Sequence, residues 1–200
     1  MLERGQRRLP PNLAARAAHV YGLPPTVLPL PEPSPARSIA ASQTLARDLA
    51  TLGYPGFAYL RSRGARPLNP ATVLLSALAQ DDLEPRVVEA LPWLLLRYWD
   101  LDQAWLVRAA KLGDLQNRLG FVVGLARGLA ERGPLEGRRL EALRQLEAAL
   151  DKSRLAREDT LCRGSMPARE RAWVREQRSG EAKHWNLLTD WHPDMLSYAA

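Results

Sequence analysis

The sequence predicts an all-α protein, a multi-helix globular bundle with a short N-terminal helical segment and a proline-rich linker. Three observations carry that expectation. Apolar residues recur at three- and four-residue spacing, no run alternates with the period of two that a strand needs, and Gly, Pro and capping residues punctuate the periodic runs. With 46% hydrophobic and 25% charged residues over 200 positions, the chain can bury a real core, as one domain or one domain with an appendage.

Asn12 is placed to cap a first helix from about Leu13 to Tyr21, which Gly22 ends. Pro24, Pro25, Pro29, Pro31, Pro33 and Pro35 then impose an extended, semi-rigid connector. Ile39, Leu45, Leu49 and Leu52 mark a second helix, broken by Gly53 and Pro55. Asn69-Pro70 reads as an N-cap with proline at the first helical position, opening a helix through Val73, Leu74 and Leu78.

Glu84-Pro85 opens the next helix, whose stripe is Val87, Val88, Leu91, Leu94 and Leu95, with Pro92 expected to kink it. Asp100 or Asp102 should cap a helix carrying Trp105, Leu106, Ala109 and Ala110 to Gly113. Asp114 is then placed to cap a longer run through Leu119, Val122, Val123 and Ala126. These three helices read as the core. After Gly133-Pro134 an amphipathic helix is expected from about Leu135 to Arg157, with Leu140, Leu143, Leu146 and Leu150 on one face. Pro167 starts a further helix through Trp173 and Val174, and Pro193 breaks the tryptophan-containing segment from His184 to Tyr198.

The formal net charge is +6, from 28 Lys and Arg against 22 Asp and Glu, and nearly all the cations are arginine. That balance favours an acidic partner such as nucleic acid. Cys162 is the only cysteine, which excludes an intramolecular disulfide and a cysteine-based zinc site and fits a cytoplasmic protein. The longest apolar runs, Ala90 to Leu96 and Leu119 to Ala126, fall short of the ~20 residues a membrane helix needs, so no membrane partner is expected.

The opening Leu2-Glu3-Arg4-Gly5-Gln6-Arg7-Arg8-Leu9-Pro10, followed by Leu13, Ala14, Ala17, Ala18 and Gly22-Leu23-Pro24, resembles the second half of an Xre-type, phage-repressor-like helix-turn-helix domain. The matching positions are Leu2, Glu3, Gly5, Arg7 and Pro10, and the resemblance covers residues 1–25. It implies a DNA-associated transcriptional regulator that lacks here the first helices of its DNA-binding domain, the base-reading residues lying upstream of Met1. Gly5 is the residue a helix takes just past its C-terminus. Arg4, Arg7, Arg8 and Arg16 are the candidate contacts to DNA phosphates, which set register and salt-dependent affinity.

A second candidate lies in the core. Ala109, Gly113, Leu119 and Val122 fall at the small, turn and hydrophobic positions of a helix-turn-helix, which would turn Gln116, Asn117 and Arg118 toward base edges. Arg108 and Asp114 occupy positions that such a motif fills with apolar groups, so a plain helical hairpin is the competing reading.

Catalytic chemistry finds no foothold, and no catalytic residue, metal or cofactor is expected. No Gly-x-Gly-x-x-Gly, P-loop or Gly-x-Ser-x-Gly occurs, and Cys162 has no histidine at a useful spacing. His184, Asp190, His192 and Asp194 carry metal-ligand types but match no zinc spacing; Trp185, Trp191 and Pro193 point instead to a C-terminal segment docked on the core. The expected organisation is a partial helix-turn-helix-like basic segment at 1–23, a proline-rich linker at 24–36 and a helical effector or interaction domain at 37–200. The alternative function is a non-enzymatic protein–protein interaction module, antitoxin-like or an adaptor, with a protein partner or a homodimer; the Leu140, Leu143, Leu146 and Leu150 face could pair with its twin in a dimer or pack intramolecularly.

Overall fold

In a computed structural model, which describes residues 10–35, 40–133 and 137–196, helix α1 spans Pro11–Val20. Pro11 takes the first helical position, where its missing N–H costs nothing. Asn12 therefore lies inside the first turn, its Oδ1 accepting from the Leu13 N–H at 2.9 Å, two residues later than a cap should sit. Gly22, at φ +61°, adopts the left-handed conformation that ends α1, and the Leu23 N–H closes back on the Ala18 carbonyl at 2.9 Å.

The proline-rich stretch is extended after a 3-10 turn at Pro25–Val27, but it is a docked strap and not a free spacer. Leu28 is buried, Asn69 Nδ2 donates to the Thr26 and Leu28 carbonyls at 3.1 and 2.7 Å, and Trp105 Nε1 donates to the Pro31 carbonyl at 2.8 Å. The physical reason is that an extended chain has spare carbonyls, and buried amide and indole donors must find acceptors.

The bundle comprises α2 (Ser42–Leu52), α3 (Pro70–Leu78), α4 (Pro85–Arg97), α5 (Gln103–Leu112), α6 (Gln116–Arg132) and α7 (Gly137–Asp151). Two of the expected caps form: Asn69 accepts from the Ala71 N–H at 3.0 Å and Asp102 from the Trp105 N–H at 2.9 Å. Asp100 instead accepts from the Thr26 hydroxyl at 3.0 Å, and α4 runs through Pro92 to Arg97. Asp114 does not cap α6. It takes the left-handed conformation, φ +55°, in the tight α5–α6 corner, while the Leu115 N–H reaches the Ala110 carbonyl at 2.8 Å.

Helix α6 is the centre of the fold, buried on every side from Gln116 to Ala126 and packed against α4 and α7. Its third neighbour is the C-terminal region, where α8 (Ala168–Gln177) and α9 (Gly180–His184) lead into Trp185. A two-residue parallel pair, β1 (Asp159–Thr160) with β2 (Leu187–Leu188), ties that region together. Glycines at every fourth position of α6 receive it: a Cβ on Gly120 would overlap the Trp185 ring, one on Gly124 the Glu181 carboxylate, and one on Gly128 would crowd Pro193. Trp185 is fully buried and Trp191 packs on the same core, so the tryptophans dock as their spacing suggested. Among the described residues no helix is long and apolar enough to cross a membrane.

Candidate nucleic-acid interface

Of the four arginines expected to meet phosphates, Arg4, Arg7 and Arg8 lie outside the described residues. Arg16 is exposed on α1. At 100° per residue the helix sorts its side chains: Ala14, Ala15 and Ala18 turn toward the strap and bundle, while Leu13, Arg16 and Val20 share the outward stripe.

Facing α1 is the loop Arg61-Ser62-Arg63-Gly64-Ala65-Arg66-Pro67, in which all three arginines are exposed. Arg61 Nε donates to the Ala50 carbonyl at 3.3 Å, which tethers the loop to α2. Gly64, at φ +79°, makes the turn between the other two cations. Sequence reasoning passed over this loop, although three arginines within six residues, closed by Gly and Pro, are a legible basic turn. Arg16 and Arg66 line one cleft of about 490 Å³ between α1 and the loop, together with Ala15, Ala18, Leu23 and Leu28, and among the described residues no acidic side chain lines it. Among the described residues Arg16, Arg63 and Arg66 form no ion pair.

The base-reading expectation for Gln116, Asn117 and Arg118 is corrected. All three are buried, at 5, 2 and 3% exposure, and they latch the chain that follows α7. Gln116 Nε2 donates to the Ser153 carbonyl at 3.1 Å, and Asn117 exchanges two hydrogen bonds with the Leu155 backbone at 2.8 and 2.9 Å. Arg118 donates to both Asp159 oxygens at 2.7 and 2.9 Å and to the Leu78 and Gln80 carbonyls at the end of α3, both at 2.8 Å. Buried side chains whose nitrogens are engaged by backbone carbonyls and by the Asp159 carboxylate are not available to a groove.

Cys162, His184, His192 and Asp194 are engaged within the fold, and Asp190 is exposed. Cys162 is buried, and burial pushes its thiol up to about 11, with the Arg118 charge opposing that rise. His184 Nε2 lies 2.9 Å from Asp151 and beside Arg154, with no hydroxyl or thiol bonded to it, while His192 pairs with Asp194 at 3.2 Å. Asp194 also meets Arg132. Among the described residues no three His, Cys, Asp or Glu side chains gather as metal ligands. Arg127 sits between Glu147, Glu131 and Glu181 at 2.6, 3.2 and 3.6 Å, holding α6, α7 and α9 together. A comparison with protein-family models, curated proteins and solved structures finds no match for this chain.

Proposed function

We propose that the protein is a non-enzymatic, DNA-associated transcriptional regulator of the kind its N-terminal resemblance implies. In this reading α1 and the Arg61–Pro67 loop face the phosphate backbone, and the α2–α9 bundle is the effector half. The observation that carries it is the unpaired cationic set, with Arg16 on the outward stripe of α1 and Arg63 and Arg66 on the facing loop. Guanidinium groups without carboxylate partners are free to replace phosphate counterions, so binding by this face falls steeply with salt and carries no base code. With Gln116, Asn117 and Arg118 committed to the interior, the described residues supply affinity and register without sequence selection.

The test is retention of a duplex by the chain across a salt series. Weak, sequence-indifferent binding that disappears at moderate salt is expected, and replacing Arg16 and Arg63 together by Glu should abolish it. Binding that survives the double replacement, or that ignores salt, sinks the assignment.

One observation favours the alternative, a protein–protein interaction module. Leu13, Val20, Tyr21, Leu23 and Val27 are all exposed within a single short stretch. Large apolar side chains concentrated on one face mark a partner surface. This reading predicts a stable homodimer or hetero-complex by light scattering and no DNA retention at any salt.

A further inference from the structure

We infer that the cleft between α1 and the Arg61–Pro67 loop binds a small amphiphilic carboxylic acid, its carboxylate held by Arg16 and Arg66 and its apolar body seated on Ala18, Leu23 and Leu28. The cavity, about 490 Å³, falls inside the ~300–1,000 Å³ range in which small-molecule sites occur. Its floor is aliphatic: Ala18 and Leu28 are buried, Ala15, Pro25 and Pro67 complete the wall, and the strap that supplies Leu28 is fixed by two hydrogen bonds from Asn69. The site is thus built on tethered backbone before any ligand arrives.

The polar side chains of that lining are the two guanidinium groups, one from each wall, and no described carboxylate pairs with either. An arginine fork matches the two oxygens of a carboxylate, and the match strengthens where an apolar body displaces water beside it. A bare inorganic anion would leave the aliphatic floor wet, and a neutral apolar molecule would leave both cations unused. Charge and shape together therefore select a molecule with one anionic end and a short hydrocarbon or aryl end.

Arg16 and Arg66 are also among the cations proposed to face phosphate, so direct binding is measured on the chain without DNA, where its failure leaves the salt-dependent DNA retention untouched. Isothermal titration of the full chain with octanoate and with 4-phenylbutyrate should give saturable binding. Octanamide, 4-phenylbutanamide and inorganic phosphate should bind at least tenfold more weakly. The double variant Arg16→Gln, Arg66→Gln changes only exposed side chains and should lose at least tenfold toward the acids. Ala15→Phe, which fills the cleft without touching either cation, should block both acids while circular dichroism stays unchanged. Equal binding of acids and amides, tight binding of phosphate alone, no saturable heat from either acid, or acid binding indifferent to both variants each overturns the inference.

Discussion

Arg118 and Asp159 meet side-on across 41 residues of chain, guanidinium fork to carboxylate, at 2.7 and 2.9 Å. The remaining Arg118 donors close the carbonyl end of α3, so one side chain fastens α3, α6 and β1. The Asp159 side chain is 24% exposed and that of Arg118 only 4%, so the arginine is the partner that cannot be rehydrated. Asp159→Ala, which leaves a buried cation unpaired, should cost about 3 kcal/mol in urea unfolding. Arg118→Met leaves no buried cation behind, and the partly exposed Asp159 can take water, so it should cost less even though the Leu78 and Gln80 carbonyls lose their donor. A larger loss for Arg118→Met would show that the α3 carbonyls matter more than the ion pair.

The pH dependence follows from two carboxyl groups shifted in opposite senses. Burial opposes ionisation of Asp159, but the hydrogen bonds and charge of Arg118 outweigh it and hold the group below the usual carboxylate value. Its contribution is present above the unfolded value of about 4 and is lost as pH falls through the lower folded one. Glu181 is raised, by burial first and then by Glu147 against the Trp185 hydrogen bond and Arg127, so it binds its proton more tightly when folded. Its contribution is present below the unfolded value and fades as pH rises through the folded one. Urea midpoints on acidification should therefore fall less steeply for Asp159→Asn than for the native chain, and more steeply for Glu181→Gln. Identical profiles for Glu181→Gln and the native chain would dismiss the Glu181 contribution.

Cys162 should be silent. With the thiol buried and pushed up to about 11, thiolate is scarce at any ordinary pH and the sulfur is out of reach of reagent. Ellman's reagent near pH 8 should find no reactive thiol in the folded chain and a full equivalent in denaturant. Stoichiometric reaction without unfolding would mean that the segment around β1 opens locally.

The glycine stripe of α6 separates two substitutions of the same size. Gly120→Ala drives a methyl into the rigid, fully buried Trp185 ring, a clash worth about 1–3 kcal/mol that outweighs the helix-propensity gain. Gly124→Ala meets the end of the Glu181 side chain, which can swing only by giving up the hydrogen bond from the Trp185 indole at 3.0 Å, so that loss offsets the gain of about 1 kcal/mol from replacing a helical glycine. Melting temperature should fall for the first and fall less or hold for the second, with the larger change in tryptophan fluorescence in the first. Equal shifts would mean that the C-terminal segment does not sit on this face.

What sequence could supply divides along a physical line. The Asn69 and Asp102 caps and the core stripes of α3 to α6 were legible because each is decided within a turn or two of chain. The fate of Gln116, Asn117 and Arg118 was not, since their acceptors lie about forty residues away and polarity alone cannot separate a groove-reading side chain from a buried latch. Asp114 misled because an acid after a helix-ending glycine reads as a cap, and Asp also tolerates the left-handed corner it occupies. The glycines of α6 were visible at four-residue spacing, yet only the docked Trp185 gives that spacing a purpose. For the binding face, periodicity placed Arg16 on a helix, but the pairing of α1 with the Arg61–Pro67 loop needed the docked strap.

Asn69 offers the sharpest dissection, because one buried side chain does two separable jobs. Its Oδ1 caps α3 through the Ala71 N–H, while its Nδ2 holds the strap at Thr26 and Leu28. Asn69→Asp keeps the acceptor and removes the donor, and sets a negative charge against the two strap carbonyls. It should release the strap while α3 stays capped: residues 24–35 become sensitive to proteinase K, with helix content unchanged. Asn69→Ala removes both functions and should add the loss of a cap, about 1 kcal/mol, to the same proteolytic sensitivity. Because Leu28 forms part of the floor beneath Arg16, both variants should also weaken octanoate binding. A strap that resists protease in Asn69→Asp would mean that Trp105 and the Leu28 contacts hold it without the amide.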